Sequence, residues 1–481
     1  MNQKIRKKIK RICCIGAGFV GGPTMAVIAD KCKNLQINVV DKNSKRINQW
    51  NNDDLNKLPI FEPGLDKIIK RCRNKNLTFS TNVEEEISSA DLVFISVNTP
   101  TKIKGLGAGK ASDLKWVEAC ARQVAANAKG HTIVVEKSTL PVKTAEVIKN
   151  ILESTNFEKE GSTNATFDVL SNPEFLAEGT AIKDLEYPDR VLIGGDCKDA
   201  IMALNEIYLN WIPQEKILHT NIWSSELAKL TANAFLAQRV SSINSIGALC
   251  EVTGANIREV SRAIGTDSRI GPKFLDAGPG FGGSCFKKDI LNLVYLCQYY
   301  DLNEVATFWE SVIELNNWHQ SRIANLIVKK LFGTVSGKKI FILGFAFKEN
   351  TNDTRESASI KICKDLLSEG AVLFINDPKV NPDQIENDLK IKETKSLLNE
   401  DVKNKSNNDG SWCFVNQVSC GFKGADAVVI LTGWQEYQKI DWGNASKTMR
   451  RPSWVFDARS VISSKEITQH KLNFWQIGSG N

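Results

Sequence analysis

The segment GPGFGGSCFKKD (278–289) places one cysteine among four glycines, with two lysines and an aspartate behind it. Cys285 is a candidate nucleophile, because glycines let a backbone fold closely around a ligand and the lysine charges would favour the reactive thiolate. Asp289 is near enough in sequence to activate a water molecule. The alternative is that Cys285 is simply one of twelve cysteines, most of which we expect to be small buried hydrophobic residues.

A second motif, GAGFVG, begins at Gly16 and matches GxGxxG between a predicted strand and a predicted helix. Gly16 would allow a tight turn, and Gly18 would let a pyrophosphate approach the backbone. Gly21 would let the helix pack closely on the strand. Asp41 ends the next predicted strand, where a carboxylate accepts a hydrogen bond from a ribose 2′-hydroxyl. The pattern favours NAD over NADP, although Arg46 nearby weakens this preference. A glycine-rich turn of an unrelated α/β protein is the alternative.

A nucleophilic cysteine combined with a nicotinamide cofactor suggests oxidation of an aldehyde. Attack by sulfur makes the aldehyde carbon tetrahedral, and loss of a hydride from this thiohemiacetal leaves a thioester. Lys229 and Asn233 are four residues apart on a predicted helix, so together they could stabilise an oxyanion. Alone, Lys229 would be a solvated surface lysine. Glu174 and Glu178 would share one face if NPEFLAEGTA is helical.

Short strands rich in β-branched residues alternate with helical segments in the first and last parts of the chain, which predicts mostly parallel sheets. Between them, 223–254 and 300–332 have apolar residues at helical spacing. The interpretation is an α/β protein with two Rossmann-like doubly wound domains joined by a central helical domain. The expected parts are a basic N-terminal tail (1–10), a first α/β domain (11–220), the central helical domain with the cysteine loop (221–332) and a second α/β domain (333–481). A polar run at 399–411 predicts an exposed loop.

The composition narrows the class of protein. The formal net charge of +7 arises largely from six basic residues among the first eleven, so the rest of the chain is nearly neutral and a nucleic-acid-binding face is not expected. The apolar runs are too short to span a bilayer, and the N-terminus does not have the pattern of a signal peptide. Scattered cysteines without CxxC pairs predict no metal site and a cytoplasmic location.

Taken together, these segments resemble the UDP-glucose/GDP-mannose dehydrogenase family. VNTPTK, NPEFLAEG, ANAFLAQR, GFGGSCFKKD and GFAFKENTNDTRES occur in the family's order and at its spacing, especially as in its animal and plant members. The likeness spans essentially the whole chain, apart from the first ten residues and 399–411. It implies a four-electron oxidation of the 6-hydroxyl of UDP-glucose to a carboxylate, with two NAD per turnover. It also implies an NAD-binding first domain, a UDP-sugar-binding last domain, and a homodimer that assembles into a hexamer as a trimer of dimers.

The resemblance further implies roles for individual residues. The implied catalytic residues are Cys285 as nucleophile, Lys229 and Asn233 as the oxyanion-stabilising pair, Asp289 as the partner of an ordered water, Glu174 in acid/base work during thioester hydrolysis, and Thr139 in contact with that water. The implied NAD contacts are Gly16, Gly18, Gly21, Asp41, Arg46, Val97, Thr99, Thr101, Glu178 and Arg355. The implied UDP-glucose contacts are Phe175, Leu176, Glu178, Lys229, Phe274, Phe281, Gly282, Lys348, Arg459 and, from a neighbouring subunit, Arg269.

Two other functions remain open at this point. One is oxidation of a different nucleotide sugar, such as GDP-mannose or UDP-N-acetylmannosamine, because sugar selection depends on the shape of the pocket. The other is a non-catalytic NAD-binding or scaffold protein that retains the fold. The presence of Cys285, Lys229, Asn233, Asp289 and Glu174 argues against the second alternative.

Overall fold

The computed structural model describes residues 8–154, 165–398 and 410–480. Most of the predicted basic tail and of the predicted loop at 399–411 lies outside these residues. The chain forms two compact units, the first from Met1–Ala232 with Leu291–Leu302 and the second from Asn233–Ile290 with Asn303–Asn481. The division into four parts made from the sequence stays a prediction. Within the described residues, no helix is long and apolar enough to cross a membrane.

The first unit alternates strands and helices. In chain order its elements are β1 (Arg11–Ile15), α1 (Gly21–Lys31), β2 (Gln36–Val40), α2 (Ser44–Trp50), α3 (Leu65–Cys72), β3 (Leu77–Ser80), α4 (Val83–Ser89), β4 (Leu92–Ile95), α5 (Lys115–Asn127), β5 (His131–Glu136), α6 (Thr144–Ser154), β6 (Thr166–Ser171), α7 (Ala181–Glu186), β7 (Val191–Gly195), α8 (Lys198–Tyr208) and β8 (Ile217–Thr220). The strands form one sheet in the order β3-β2-β1-β4-β5-β6-β7-β8. Pairing is parallel except between β6 and β7. The order reverses between β1 and β4, where ligands bind in sheets of this kind.

Both faces of this sheet are covered, which explains why its central strands are continuously apolar. Along β1, Ile12 and Cys14 belong to one buried cluster, whereas Cys13 and Ile15 belong to another. Successive side chains of a strand point to opposite faces, so each strand supplies both clusters.

Four helices follow the first sheet in the chain. They are α9 (Ile222–Thr253), which begins in the first unit and ends in the second, α10 (Ile257–Gly265), α11 (Phe286–Tyr299) and α12 (Asn303–Lys330). The side chain of Asn256 accepts a hydrogen bond from the Arg258 amide and so caps the start of α10. The two long helices that the sequence predicts are therefore present, with ends shifted by a few residues.

The second unit contains the other sheet. Its remaining elements are β9 (Lys339–Leu343), α13 (Ala358–Ser368), β10 (Val372–Asn376), α14 (Pro382–Leu389), β11 (Ser411–Phe414), α15 (Val418–Gly421), β12 (Ala427–Ile430), α16 (Trp442–Thr448), β13 (Trp454–Asp457), α17 (Ser464–Thr468) and β14 (Asn473–Gln476). The strand order β11-β10-β9-β12-β13-β14 is that of a second Rossmann-like sheet, and its pairing is parallel. The predicted fold class, two doubly wound α/β domains with central helices, is confirmed.

The sequence does not predict β3, β8, β11 and β14, and these are the strands at the edges of the two sheets. An edge strand has a neighbour on one side only and is partly exposed. The burial of β8, for example, is limited largely to its first residue. Such strands do not need the continuous apolar run by which the central strands are recognised.

A pair of buried carboxyl groups joins three elements of the first unit. Glu136 ends β5, and Glu226 lies in the first turns of α9; both are almost fully buried. Glu226 accepts the amides of Lys143 and Ala145 at 2.8 Å each and so caps the start of α6. Burial, and next the neighbouring carboxyl of Glu226, raises the pKa of Glu136 well above its ordinary value. The two groups therefore retain a proton at a pH where exposed glutamates have lost theirs.

Glu136→Gln should stabilise the protein increasingly as the pH rises. A carboxyl whose pKa is raised by folding binds its proton more tightly in the folded state, so its stabilising effect is complete at low pH and is lost as the pH rises through the folded pKa. Each unit of this shift corresponds to about 1.4 kcal/mol. Melting temperatures of both proteins from pH 5 to pH 9 would measure the effect. Glu153→Gln, at an exposed position of α6, is the control; an equal response of the two variants would contradict the prediction.

Candidate active site

The first glycine motif lies where β1 turns into α1. Gly16 has a φ of +112°, and a Cβ there would lie 2.2 Å from the carbonyl oxygen of Ser96. A Cβ on Gly21 would lie 2.0 Å from the carbonyl oxygen of Gly16. The fold itself therefore requires both glycines, one for the turn and one for the close packing of helix on strand.

Gly18 differs from these two, because a Cβ at this position would meet no atom of the described protein within 4 Å. The fold does not need a glycine here, whereas a ligand that closely approaches the backbone does. The N-cap residue of α1 is Val20, whose side chain cannot accept a hydrogen bond. The amides and positive dipole end of α1 thus suit a bound pyrophosphate, and the motif fits a dinucleotide.

Asp41 directly follows β2 at the same end of the sheet. One of its carboxylate oxygens accepts the Ala17 amide at 3.1 Å and Arg46 Nη1 at 3.2 Å, and the other accepts the Asn43 amide at 2.9 Å. The side chain is 15% exposed. A carboxylate has about four acceptor positions, so a ribose hydroxyl can still bind to it. Arg46 is held on this carboxylate, where its charge is offset.

The loops after β4 and β5 are joined beside the glycine motif. The Ser138 hydroxyl donates to the Val97 carbonyl at 2.6 Å, and the Thr99 hydroxyl donates to the Thr139 carbonyl at 3.1 Å. Thr101 forms an isolated antiparallel bridge farther along the first loop. Because the carboxyl ends of parallel strands form the ligand-binding crevice, these four predicted residues lie along one edge of the first sheet.

Glu174 follows β6 and is surrounded by donors. One oxygen accepts the amides of Phe175 and Leu176, at 2.7 and 3.1 Å. The other contacts the Lys137 ammonium at 3.0 Å and accepts the Thr24 hydroxyl at 3.4 Å. Burial alone would raise the pKa of Glu174, but the charge of Lys137 and these hydrogen bonds outweigh it, and the pKa lies below its ordinary value. Glu174 is therefore ionised at neutral pH.

The segment after β6 is not helical, so the condition under which Glu174 and Glu178 would share one helical face is not met. The Glu174 side chain bonds to the two amides that follow it, which favours a local turn over a helix. Glu178 lies in the turn that precedes α7. The two carboxylates are thus positioned by loop geometry.

Lys229 is buried on α9 instead of being solvated. It is 7% exposed, and its ammonium lies 5.2 Å from the centre of the Phe175 ring. Its charge also helps to lower the pKa of Glu174. The first unit therefore brings Lys229 close to the adjacent pair Glu174 and Phe175, which lies more than fifty positions earlier in the sequence.

Cys285 is exposed and directly precedes α11, in the second unit. The Asp289 amide donates to the Cys285 carbonyl at 2.9 Å, which forms the first turn of that helix. A helix N-terminus favours negative charge, as a thiolate requires. The two lysines that follow are paired with carboxylates: Lys287 contacts Glu356 at 2.9 Å, and Lys288 contacts Asp289 at 3.7 Å. Their charges are therefore partly offset.

Buried polar side chains hold the glycine loop that precedes Cys285. Asn316 accepts the Phe281 amide at 2.9 Å and donates to the Phe281 carbonyl at 3.2 Å. His319 donates to the Gly278 carbonyl, and Asn244 accepts the Gly278 amide, each at 2.9 Å. Burial lowers the pKa of His319 to about 4, so this histidine is neutral when it makes the contact.

Two positions of this loop have no space for a side chain and therefore require glycine. A Cβ on Gly280, which has a φ of +126°, would lie 2.7 Å from the Asn316 side-chain oxygen. A Cβ on Gly282 would lie 2.5 Å from the Glu356 carbonyl oxygen. The loop is thus held by close contacts and hydrogen bonds, and Cys285 lies at its end.

Asn233 and Asp289 are in contact within the second unit. The Asn233 amide donates to the Asp289 carboxylate at 2.6 Å, and both side chains are buried. Asp289 lies in the first turn of α11, and its amide bonds to the carbonyl of Cys285 just before that helix. The structure therefore places Cys285, Asp289 and Asn233 in one neighbourhood.

The other predicted substrate residues have different surroundings. Arg459 donates to the carbonyl groups of Leu431 and Phe347, both at 2.8 Å, at the carboxyl edge of the second sheet. The Lys348 ammonium lies 5.6 Å from the centre of the Phe347 ring. Arg269 is paired with Asp267 at 2.6 Å, and its side chain is largely exposed.

Two further predicted residues lie beside these loops. Phe274 has a φ of +62° and is 41% exposed. Arg355, expected to contact NAD, is paired with Asp353, and its carbonyl accepts the Gly283 amide at 2.8 Å. Arg355 therefore helps to hold the cysteine loop.

Several residues of this site were missed from the sequence: Lys137, Asn244, Asn316 and His319. Lys137 ends the run TIVVEK, and a charge at the end of a buried strand is a signal that could have been noticed. The other three lie in long helices, where polar residues are ordinary and nothing local marks them as buried.

Asn316→Ala should loosen the cysteine loop. It leaves the buried amide and carbonyl of Phe281 without their partner, which costs about 1–3 kcal/mol for each unsatisfied group. We expect the free energy of unfolding to fall by about 2–6 kcal/mol and the Phe281 amide to exchange its hydrogen faster. Asn317→Ala is the control because its side chain is exposed on the same helix. Unchanged exchange at Phe281 would contradict this account of the loop.

Comparison with known proteins agrees with this geometry. Three models of the UDP-glucose/GDP-mannose dehydrogenase family match the chain: the NAD binding domain at residues 10–212, the central domain at 223–318 and the UDP binding domain at 341–464. The UDP-glucose 6-dehydrogenase of Gallus gallus is 54% identical over 462 residues, 95% of this chain and 90% of the relative. UDP-glucose 6-dehydrogenase 5 of Oryza sativa subsp. japonica is 51% identical over 478 residues, 97% of each chain.

Solved structures are similar along the whole chain. A UDP-glucose dehydrogenase from the archaeon Pyrobaculum islandicum has a TM-score of 0.80 and 27% identity, and the match covers 100% of both chains. With its NAD-binding turn, its cysteine loop and these relatives, the chain belongs to the UDP-glucose/GDP-mannose dehydrogenase family.

Proposed function

We propose that the protein oxidises UDP-glucose to UDP-glucuronate in two steps, with Cys285 as the covalent nucleophile. The overall reaction consumes one sugar, two NAD⁺ and one water, and it yields one carboxylate, two NADH and three protons. NAD, the family's cofactor, would accept one hydride from C6 of the sugar in each oxidation.

The location of Cys285 is the main observation that supports its role as a covalent nucleophile. Nine of the twelve cysteines are buried, and burial raises the pKa of such thiols, to about 11 at Cys120 for example. Cys285 is instead exposed, at the start of a helix and at the end of a fixed glycine loop. A purely structural cysteine would need none of these features. The identity of 50–54% to curated UDP-glucose 6-dehydrogenases supports UDP-glucose as the substrate.

The protein residues have the following proposed roles. The Cys285 sulfur forms a bond to the aldehyde carbon, and Lys229 and Asn233 stabilise the resulting oxyanion. Loss of a hydride then leaves a thioester. Water attacks its carbonyl carbon, the bond from carbon to sulfur breaks, and the thiolate is released with the carboxylate product.

Hydrolysis requires a group that accepts a proton from the water. Glu174 is assigned this role because it is ionised, with Asp289 and Thr139 orienting the water. Arg459 and Lys348 supply positive charge for the pyrophosphate and sugar at the edge of the second sheet. Asp41, in the first unit, and Arg355, in the second unit, are proposed to contact NAD.

The proposal includes self-association. Large apolar side chains along the central helices are about half exposed, among them Phe235, Leu249, Phe308 and Trp318. Such a surface suits a second copy of the chain, so we propose a homodimer that assembles further into a hexamer, with Arg269 reaching a neighbouring subunit. Light scattering would measure the mass, and a monomer would contradict this part. The proposed compartment is the cytoplasm, where the free thiols stay reduced.

The test is the number of NADH formed for each limiting UDP-glucose in the presence of excess NAD. Two equivalents with UDP-glucuronate as product are expected. One equivalent would mean that the reaction stops at the aldehyde, and the covalent role of Cys285 would fail. If NADH forms with another nucleotide sugar but not with UDP-glucose, that sugar is the substrate. If NADH forms with none of them, the non-catalytic alternative is favoured.

Cys285→Ala should reduce acid formation by at least about a thousandfold, since neither the thiohemiacetal nor the thioester can form. Binding of NAD, measured by calorimetry, should not change. Cys420→Ala is the matched control, because Cys420 is the other exposed cysteine. A normal yield of acid from Cys285→Ala would remove the nucleophile assignment.

A further inference from the structure

A fully buried polar cluster lies behind Glu174 in the first unit. The Lys137 ammonium contacts Glu174 at 3.0 Å, the Asn172 side-chain oxygen at 3.0 Å and the Tyr208 hydroxyl at 3.5 Å. The Tyr208 hydroxyl donates to the same Asn172 oxygen at 2.6 Å. An ammonium group has three hydrogens, and this cluster offers three acceptors for them.

Burying the charge of Lys137 costs free energy, which would be unfavourable for the fold unless the lysine has a role toward Glu174. Lys137 is 3% exposed, and removing a charge from water costs several kcal/mol even after the protein relaxes. An apolar pair of similar volume would often stabilise a fold equally well or better. Among the described residues, the only ion pair of Lys137 is the one with Glu174, so the buried lysine is best explained by a requirement of that carboxylate.

We propose that Lys137 is a positioning residue, which holds the Glu174 carboxylate ionised and in one orientation so that it can accept a proton from the hydrolytic water. This inference rests on the proposed function and deepens it. Lys137 acts through Glu174 and has no proposed contact with substrate. Its effect should therefore be seen in the pH dependence of the reaction.

The groups that face Glu174 come from several elements. Lys137 follows β5, Lys229 lies on α9, Thr24 lies on α1 and Tyr208 lies on α8. Burial would lower the pKa of Lys137, but Glu174 outweighs it, so that the pKa of Lys137 lies above its ordinary value. Both members of the pair are charged at neutral pH.

Removal of Lys137 should raise the pKa of Glu174. Burial, which raises the pKa of Glu174, would then be opposed mainly by Lys229 and the neighbouring amides. The carboxylate would take up a proton at a higher pH than in the wild type. Its function as a base would be lost as the pH falls, and it would be recovered at alkaline pH.

The first experiment compares the pH dependence of acid formation in the wild type and in Lys137→Met. We expect the acidic limb of the variant's kcat profile to move upward by about 1–3 pH units, the shift typical of a lost neighbouring charge. Below that limb, the rate should fall about tenfold for each pH unit. Lys137→Gln, which keeps a polar side chain but removes the charge, replaces the methionine variant if that variant does not fold.

Lys31→Met is the matched control. Lys31 forms an ion pair with Glu186 at 2.7 Å in the same unit, but both side chains are about one quarter exposed. The same substitution there should leave the profile unchanged. A variant of Lys137 that loses rate equally at every pH would overturn the proposal, because a purely structural defect acts in that way.

A second experiment does not depend on turnover. The ¹³C carboxyl signal of Glu174, assigned with Glu174→Gln, is titrated in the resting protein with and without Lys137. A signal that titrates at higher pH in Lys137→Gln supports the proposal, and identical titrations overturn it. If the titrations differ while UDP-glucose yields no NADH, the charge effect stands and the proposed function fails, so the two failures can be distinguished.

Discussion

Pairing of buried charged side chains with partners is the interaction on which the arrangement of the site depends. Glu174 is ionised away from solvent because Lys137 and two backbone amides contact its carboxylate. Asp289 is buried against the amide of Asn233. In each case a residue with a proposed chemical role is held by another that comes from a distant part of the chain. The low dielectric of the interior makes an unpaired charge expensive and a paired charge strongly oriented.

The second sheet repeats the order of strands β1 to β6 of the first sheet, but the two sheets use their carboxyl edges differently. In the first sheet, Asp41 follows β2 and keeps part of its carboxylate exposed. In the second sheet, Asp377 follows the corresponding strand, but its carboxylate accepts the amides of Phe345 and Ala346 and the indole of Trp434. The second carboxylate is thus committed to the fold and is nearly fully buried. The second carboxylate is therefore not available to a ribose hydroxyl in the way that Asp41 is.

Glycine has two distinct purposes in the site. Gly16 and Gly280 have positive φ angles and neighbours that leave no space for a Cβ, so the fold requires them. Gly18 has open space around it, and its conformation does not exclude other residues. The first kind shapes a loop, and the second kind leaves room for a ligand. The GxGxxG motif contains both kinds, which is why the motif alone is weak evidence and its structural context is strong.

The sequence alone determined the α/β class, the central strands, the long helices, the glycine turn and the cysteine loop, because each has a local signature in residue type or period. It could not reveal the edge strands β3, β8, β11 and β14, which lack a continuous apolar run. It also could not reveal that Lys229 is buried, that Lys137 pairs with Glu174, or that Asn316 and His319 hold the loop before Cys285. Those facts depend on contacts between residues that lie far apart in the chain; Thr24 and Glu174, for example, are separated by 150 positions. Only the folded packing brings such residues together, because burial and pairing are properties of the three-dimensional surroundings and not of neighbouring residues in the sequence.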